Sequence, residues 1–271
     1  MANDNWSRIT APLYQERQLK QRKGEKERAK TMRLSEAKFV VVDTETTGLP
    51  PDGRVVELAL VEVGLDRESQ IVYSALVDPG CPIPPEASAV HHITDRDVAG
   101  KPRLSQIWPK VLGYIGDAVL VAHNAEFDRG MLPETGRPWI CSKRLAQHLW
   151  PDAPKHSNQV LRYWLGIDVE VGQPHRALGD AIVTAHVFQR ELRAYLEAGY
   201  PDDVDELISF AESPIEVQTM PFGKHKGMPL KDVPLDYLDW ALHNMQDLSP
   251  DLRWSMQRVL EQGLGWTGRA I

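Results

Sequence analysis

Cysteine is scarce. Cys81 and Cys141 are the only two in 271 residues, which excludes a disulfide framework and zinc fingers of the Cys-x-x-Cys type. Long apolar runs are missing too: no stretch approaches the roughly 20 residues needed to cross a bilayer, so no membrane association is expected. Residues 1–8 lack the apolar segment of a secretory signal peptide, and together with the cysteine count this gives the expectation of a cytoplasmic, reduced protein. No G-x-x-x-x-G-K-[ST] phosphate loop occurs, which argues against ATP-driven chemistry. Nor is there an excess of positive charge, since the formal net charge is −7. That alone does not exclude a nucleic-acid partner, because local patches and bound cations decide such binding.

The charge is unevenly spread. Residues 1–38 carry ten Lys or Arg against five acids, which leaves 21 against 33 for 39–271. The first segment reads as a basic N-terminal extension, either a solvated tail or an arm meeting nucleic acid or a further partner. Phe39-Val40-Val41-Val42 then reads as a buried central strand ending at Asp43. Extended segments at 54–63 and 71–77 complete an antiparallel meander, followed by a proline-rich loop. Helical patterns at 104–115, 125–132, 141–149, 157–165 and 175–198 surround an apolar strand at 118–122. A meander followed by alternating strand and helix predicts an α/β fold with a mixed sheet, over 39–198. The segment 199–218 reads as a linker. Residues 219–271 read as a small C-terminal α+β unit: two short extended pieces around a glycine-bounded turn, then helices at 235–245 and 250–262.

Three segments carry candidate chemistry. Asp43 and Glu45 sit two apart on a strand and therefore present their carboxylates side by side, an arrangement that costs energy without a cation. In His123-Asn124-Ala125-Glu126-Phe127-Asp128, Asn124 is placed to cap a helix with acids in its first turns, so capping alone could account for the segment. In His175-Arg176-Ala177-Leu178-Gly179-Asp180, the histidine falls in a loop or helix start after Gly172 and Pro174, while Asp180 lies on the helix. A movable histidine beside a fixed carboxylate suits general-base catalysis next to a metal. Taken together, four carboxylates and a histidine at strand ends and helix starts of one sheet could converge on two hard divalent cations with oxygen ligands. Without such cations the carboxylates would repel one another and raise some of their own pKa values.

These segments, with His91-His92-Ile93-Thr94, resemble in order the motifs of the DEDDh family of 3′ to 5′ exonucleases, and the His175-x-x-x-x-Asp180 spacing is that of its histidine branch. A narrower likeness, to one branch of that family, is carried by Phe222-Gly-Lys-His-Lys-Gly and the helix with Trp240. The resemblance implies a ribonuclease H-like, mixed five-stranded sheet flanked by helices, and DNA 3′ ends, single- or double-stranded, as substrate. It implies two Mg²⁺ or Mn²⁺ ions. Asp43 would bridge both, Glu45 and Asp180 would complete the shell of the first, and Asp128 would hold the second. His175 would deprotonate the attacking water, and nucleoside 5′-monophosphates would be released. Thr44, Thr47, Gly48 and Leu49 resemble the segment that meets the terminal 3′ hydroxyl and last base. Asn124 and Phe127 would support that pocket, and His91 would either fix a loop or meet the substrate. Lys224 and Lys226 could touch phosphates. A homodimer is a further expectation, as is a role in repair or end trimming. A polymerase III epsilon-like proofreading exonuclease, an RNA-trimming exonuclease and a nucleic-acid-binding module are the competing readings.

Overall fold

The computed structural model describes residues 32–171 and 175–263, and the chain divides after Ala211 into two compact units. The first unit is built on five strands: β1 (Phe39–Thr46), β2 (Val55–Gly64), β3 (Arg67–Leu76), β4 (Val119–Ala122) and β5 (Trp139–Cys141). Their order is β3-β2-β1-β4-β5. β1 pairs antiparallel with β2, and β2 with β3, while β4 joins β1, and β5 joins β4, in parallel. The sheet is therefore the mixed, five-stranded one expected.

Alternation along β1 explains why its apolar run is unbroken. Phe39 and Val41 face a core completed by Ala59, Val61 and Val121 and by the helix α7 (Ala177–Glu197). Val40 and Val42 face the opposite core, with Leu58, Leu60 and Leu120 and the helix α3 (Leu104–Ile115). Both faces are covered, so both sets of positions must be apolar. On α7, Ala177, Ala181 and Ala185 let the helix lie close to the sheet, and Phe188 meets Phe39 edge-on at 5.1 Å. The remaining helices of the unit are α1 (Pro85–His91), α2 (Asp95–Val98), α4 (Ala125–Met131), α5 (Ser142–Leu149), α6 (Asn158–Trp164) and α8 (Val204–Glu212).

Several expectations are corrected. β1 does not end at Asp43 but continues to Thr46, so Asp43 and Glu45 are still paired, with Ala59 and Glu57 of β2. The proline-rich loop contains α1, which starts on Pro85 in the first helical turn, where a missing N–H is harmless. The supposed linker 199–218 contains α8, whose Val204, Leu207 and Ala211 are buried in the same core as α7. The expected basic extension lies mostly outside the described residues, at 1–31. Its described end is not a solvated tail: Leu34 and Ala37 are buried, and the Leu34 N–H and the Arg33 guanidinium donate to Asp202 at 2.9 and 2.7 Å. Gly172 and Pro174 also lie outside the described residues.

The second unit packs Met220, Leu230, Val233, Leu238, Ala241, Leu252 and Met256 into its own core. Its helices are α9 (Leu235–Asn244) and α10 (Pro250–Gly263), preceded by a 3₁₀ turn at Leu230–Asp232. The two extended pieces reduce to one antiparallel bridge, Thr219 with Pro229, around a turn bounded by Gly223 and Gly227 at φ 71° and 82°. Among the described residues no helix is long and apolar enough to cross a membrane.

Candidate active site

β1 carries the centre of the site. Asp43 and Glu45 continue the alternation of Phe39 and Val41, which places them on the face that α7 covers. Asp180 lies in the first turn of that helix. Thr44 points the other way, and its hydroxyl donates to Oδ1 of Asp128 at 2.8 Å, so α4 is tied to the strand by a carboxylate only 4% exposed. Asp180 is held from two sides. Oδ1 accepts from the Gln159 amide at 2.9 Å, and Oδ2 accepts from the backbone N–H of His175 at 3.1 Å. His175 is exposed and adopts φ 57°, a left-handed conformation that histidine tolerates better than most non-glycine residues.

Electrostatics mark the same residues. Burial pushes the Asp43 carboxyl well above the usual carboxylate range, and repulsion from Asp128, Asp180, Glu45 and Glu57 adds to it. Glu45 is pushed up to about 8 by burial and then by Asp180, Glu57 and Asp128, against the pull of Arg176. Asp128 is pushed up to about 7 by burial, in spite of the hydrogen bonds from Thr44. Mutual repulsion among carboxylates is relieved either by protons or by a cation, and an all-oxygen donor set of this kind fits a hard divalent ion. Among the described residues no three Asp, Glu, His or Cys side chains already converge as ligands do.

A pH dependence follows. Glu45 and Asp128 have folded-state pKa values above those of the unfolded chain, so their contribution favours the fold most below about pH 4. That contribution is lost as pH rises through about 7 for Asp128 and about 8 for Glu45. Divalent cation should therefore raise the Tm by several degrees more at about pH 8 than at about pH 5.5. Thermal melts with and without Mg²⁺ or Mn²⁺ check this, and equal shifts at both pH values would count against a shared cation site.

The supporting residues divide. The turn after β1 is pinned: the Thr46 hydroxyl donates to the Gly48 carbonyl at 2.7 Å, and the Thr47 N–H donates to the Arg54 carbonyl at 2.8 Å. It presents Leu49, an apolar side chain, at 75% exposure. Asn124 stands at the N-cap position of α4 with φ 85°, but its side chain makes no capping bond there, contrary to expectation. Phe127 is half-buried. His91 is only 2% exposed, and its Nδ1 accepts from the Ile93 N–H at 3.0 Å, so of its two readings the geometry favours the loop-fixing one. Lys224 and Lys226 are exposed on the turn of the second unit.

Some contributors were not anticipated from sequence: the Thr44 hydroxyl, Gln159, Asn158, Glu57 and Arg176. The Asn158 amide donates to the Asp180 carbonyl at 3.0 Å and to the Thr184 hydroxyl at 3.1 Å. Glu57 had a visible signal, an acid inside the apolar run Val55–Leu60, where burial demands a partner.

A mixed sheet of this order, with carboxylates along its central strand, is a ribonuclease H-like nuclease architecture. Comparison with known proteins agrees. A family model described as exonuclease (RNase T) matches residues 40–188. A second, named for a quorum-sensing-regulated virulence factor, matches 212–245. The chain is 36% identical to exodeoxyribonuclease 10 of Escherichia coli K12 over 227 residues, 82% of this chain and 98% of that protein. It is 37% identical to a DNA polymerase III subunit epsilon-like protein of Rhodobacter capsulatus, over 61% of this chain and 25% of that one. A solved structure of exonuclease X in complex with 5′ overhanging duplex DNA is 36% identical, with a TM-score of 0.54, covering 64% of this chain and 99% of that one. The chain belongs to the exonuclease family, as its motifs implied. It is thus a metal-dependent hydrolase of phosphodiester bonds.

Proposed function

We propose that the protein is a 3′ to 5′ exodeoxyribonuclease that uses two Mg²⁺ or Mn²⁺ ions to release nucleoside 5′-monophosphates from single- or double-stranded DNA, in repair or end trimming. The observation that carries this is the group of half-buried and buried, mutually repelling carboxylates beside a histidine whose backbone is anchored to one of them. The narrower sequence likeness, to exodeoxyribonuclease X, supports DNA as the substrate. Asp43 would hold both ions, Glu45 and Asp180 the first, and Asp128 the second. When bound, the ions supply Lewis acidity that makes water a better nucleophile and neutralises charge on the phosphate.

The chain's own residues do the rest. His175 accepts the proton of the attacking water at a ring nitrogen. Asp180, by accepting from the His175 N–H, fixes the backbone from which that ring projects. The Thr44 and Thr47–Gly48 backbone meets the terminal 3′ hydroxyl, and Leu49 packs on the last base, with Asn124 and Phe127 beside it. A cytoplasmic setting fits the free Cys81 and Cys141.

Digestion of 3′- and 5′-labelled single-stranded DNA, duplex DNA and RNA, with Mg²⁺ and with EDTA, tests the proposal. Stepwise, metal-dependent shortening of DNA from its 3′ end is expected. Preferential shortening of RNA would move the function to RNA trimming. Strong preference for mismatched 3′ ends would favour proofreading, the reading to which the epsilon-like relative lends support.

Lys224 and Lys226 are proposed phosphate contacts. Changing both to Ala should weaken DNA binding about equally across sequences and lower the slope of log Kd against log salt by about 2. Fluorescence anisotropy at several salt concentrations measures it, and an unchanged slope would remove them from the interface.

A further inference from the structure

The start of α7 is held in an unusual way. Its first N–H groups lack helical partners, and the residue at the N-cap position, Arg176, offers no capping side-chain bond. Instead, the Ala177 N–H donates to Oε2 of Glu57 at 3.0 Å, across 120 residues of chain. The same carboxylate takes the Arg176 guanidinium in a two-pronged pair, Nε to Oε2 at 2.9 Å and Nη2 to Oε1 at 2.6 Å. Three donors thus meet one carboxylate that is 4% exposed.

The location of Glu57 is the second observation. It stands on β2 directly opposite Glu45 of β1, so two carboxylates face each other across an antiparallel pair, a placement that is unfavourable for stability. An apolar residue at 57 would remove the repulsion and suit the run Val55–Leu60 better. What the acid provides is a rigid link, because a planar guanidinium fork on a carboxylate fixes direction as well as distance. The linked segment is the one that carries chemistry. Arg176 follows His175 directly, and the His175 N–H donates to Asp180 one turn into the helix.

We propose that Glu57 is a positioning residue for hydrolysis: through Arg176 and the Ala177 N–H it fixes the start of the 175–180 segment to the strand beside β1, and so sets the placement of His175. The proposal rests on the reading of His175 as the base. Glu57 touches neither substrate nor water in this scheme. Its role differs from a purely structural one in that its effect must pass through His175.

A double-mutant cycle separates the two. Glu57→Gln retains the shape of the side chain but loses the charge and one acceptor oxygen. It should lower kcat by about a hundredfold, as expected for misplacement of a catalytic group, with KM for DNA within about twofold. In a His175→Ala background the same change should cost little, since the group being positioned is gone. An equal loss in both backgrounds, or a wild-type rate for Glu57→Gln, would overturn the proposal. Should Glu57→Gln fail to fold, Arg176→Lys keeps the positive charge on a half-exposed side chain but loses the fork, and it carries the same cycle.

Amide hydrogen exchange of the metal-free protein gives a readout independent of turnover. Exchange across 175–180 should quicken in Glu57→Gln while β1 and β2 stay protected, and unchanged exchange at Ala177 would refute the link. Failure of the underlying reading shows separately, as a His175→Ala corner of the cycle that turns over normally.

Discussion

Asp43→Asn should abolish hydrolysis while making the metal-free protein more stable. Asparagine keeps the size and one carbonyl oxygen of the side chain but removes the charge. The carboxylate proposed to hold both ions is then lost, and with it several kcal/mol of charge stabilisation in the transition state, which corresponds to about a thousandfold or more in kcat. Stability moves the opposite way, because Asp43 is half-buried and repelled by Asp128, Asp180, Glu45 and Glu57. Removing that charge relieves the cluster. The Tm in EDTA should therefore rise, most clearly at alkaline pH, and the rise induced by Mg²⁺ should shrink. Wild-type and variant melts beside a turnover assay check both halves. Turnover within about tenfold of wild type would remove Asp43 from the centre of the site. A lower Tm in EDTA would refute the electrostatic account of it.

The parts of the molecule that sequence made legible share a physical property: they are strongly periodic or locally self-sufficient. The first half of β1, Phe39–Val42, was readable because both of its faces are buried and all of these positions are apolar, and α7 because Ala181–Phe188 is a largely apolar helical run. Its weak points were the short and the punctuated elements. β5 is three residues long, too short to show a period of two. α8 opens with Asp205 and Glu206, acids that suit a helix N-terminus but resemble a linker in composition. The five proposed catalytic positions were legible because their spacing within each motif is local, even though the motifs are far apart. What supports them was not. Gln159 reaches Asp180 across 21 residues and Arg176 reaches Glu57 across 119, and neither spacing repeats a pattern that a single sequence reveals. Such contacts exist only once the sheet has brought β2 beside β1 and α7 across both.

Replacing His175 should lower kcat by about 10²- to 10⁴-fold, the usual worth of a general base, and leave the cation-induced rise in Tm in place. The choice of replacement matters because the backbone there has φ 57°. Alanine is strained in that conformation, whereas asparagine adopts it readily, so His175→Asn isolates the loss of the imidazole from any shift of the loop. Similar losses for Asn and Ala would assign the effect to the missing base. A loss confined to Ala would assign it to backbone conformation, and His175 would no longer be the base. Free imidazole offers a further discrimination, since a small diffusible base can enter a site whose other parts are intact and restore some of the rate. That rescue should be absent in Asp43→Asn, where the defect is in cation binding rather than in proton transfer. The two variants thus fail for different reasons, and the contrast follows from where their side chains sit: one half-buried in a crowd of like charges on β1, the other exposed and anchored through its backbone.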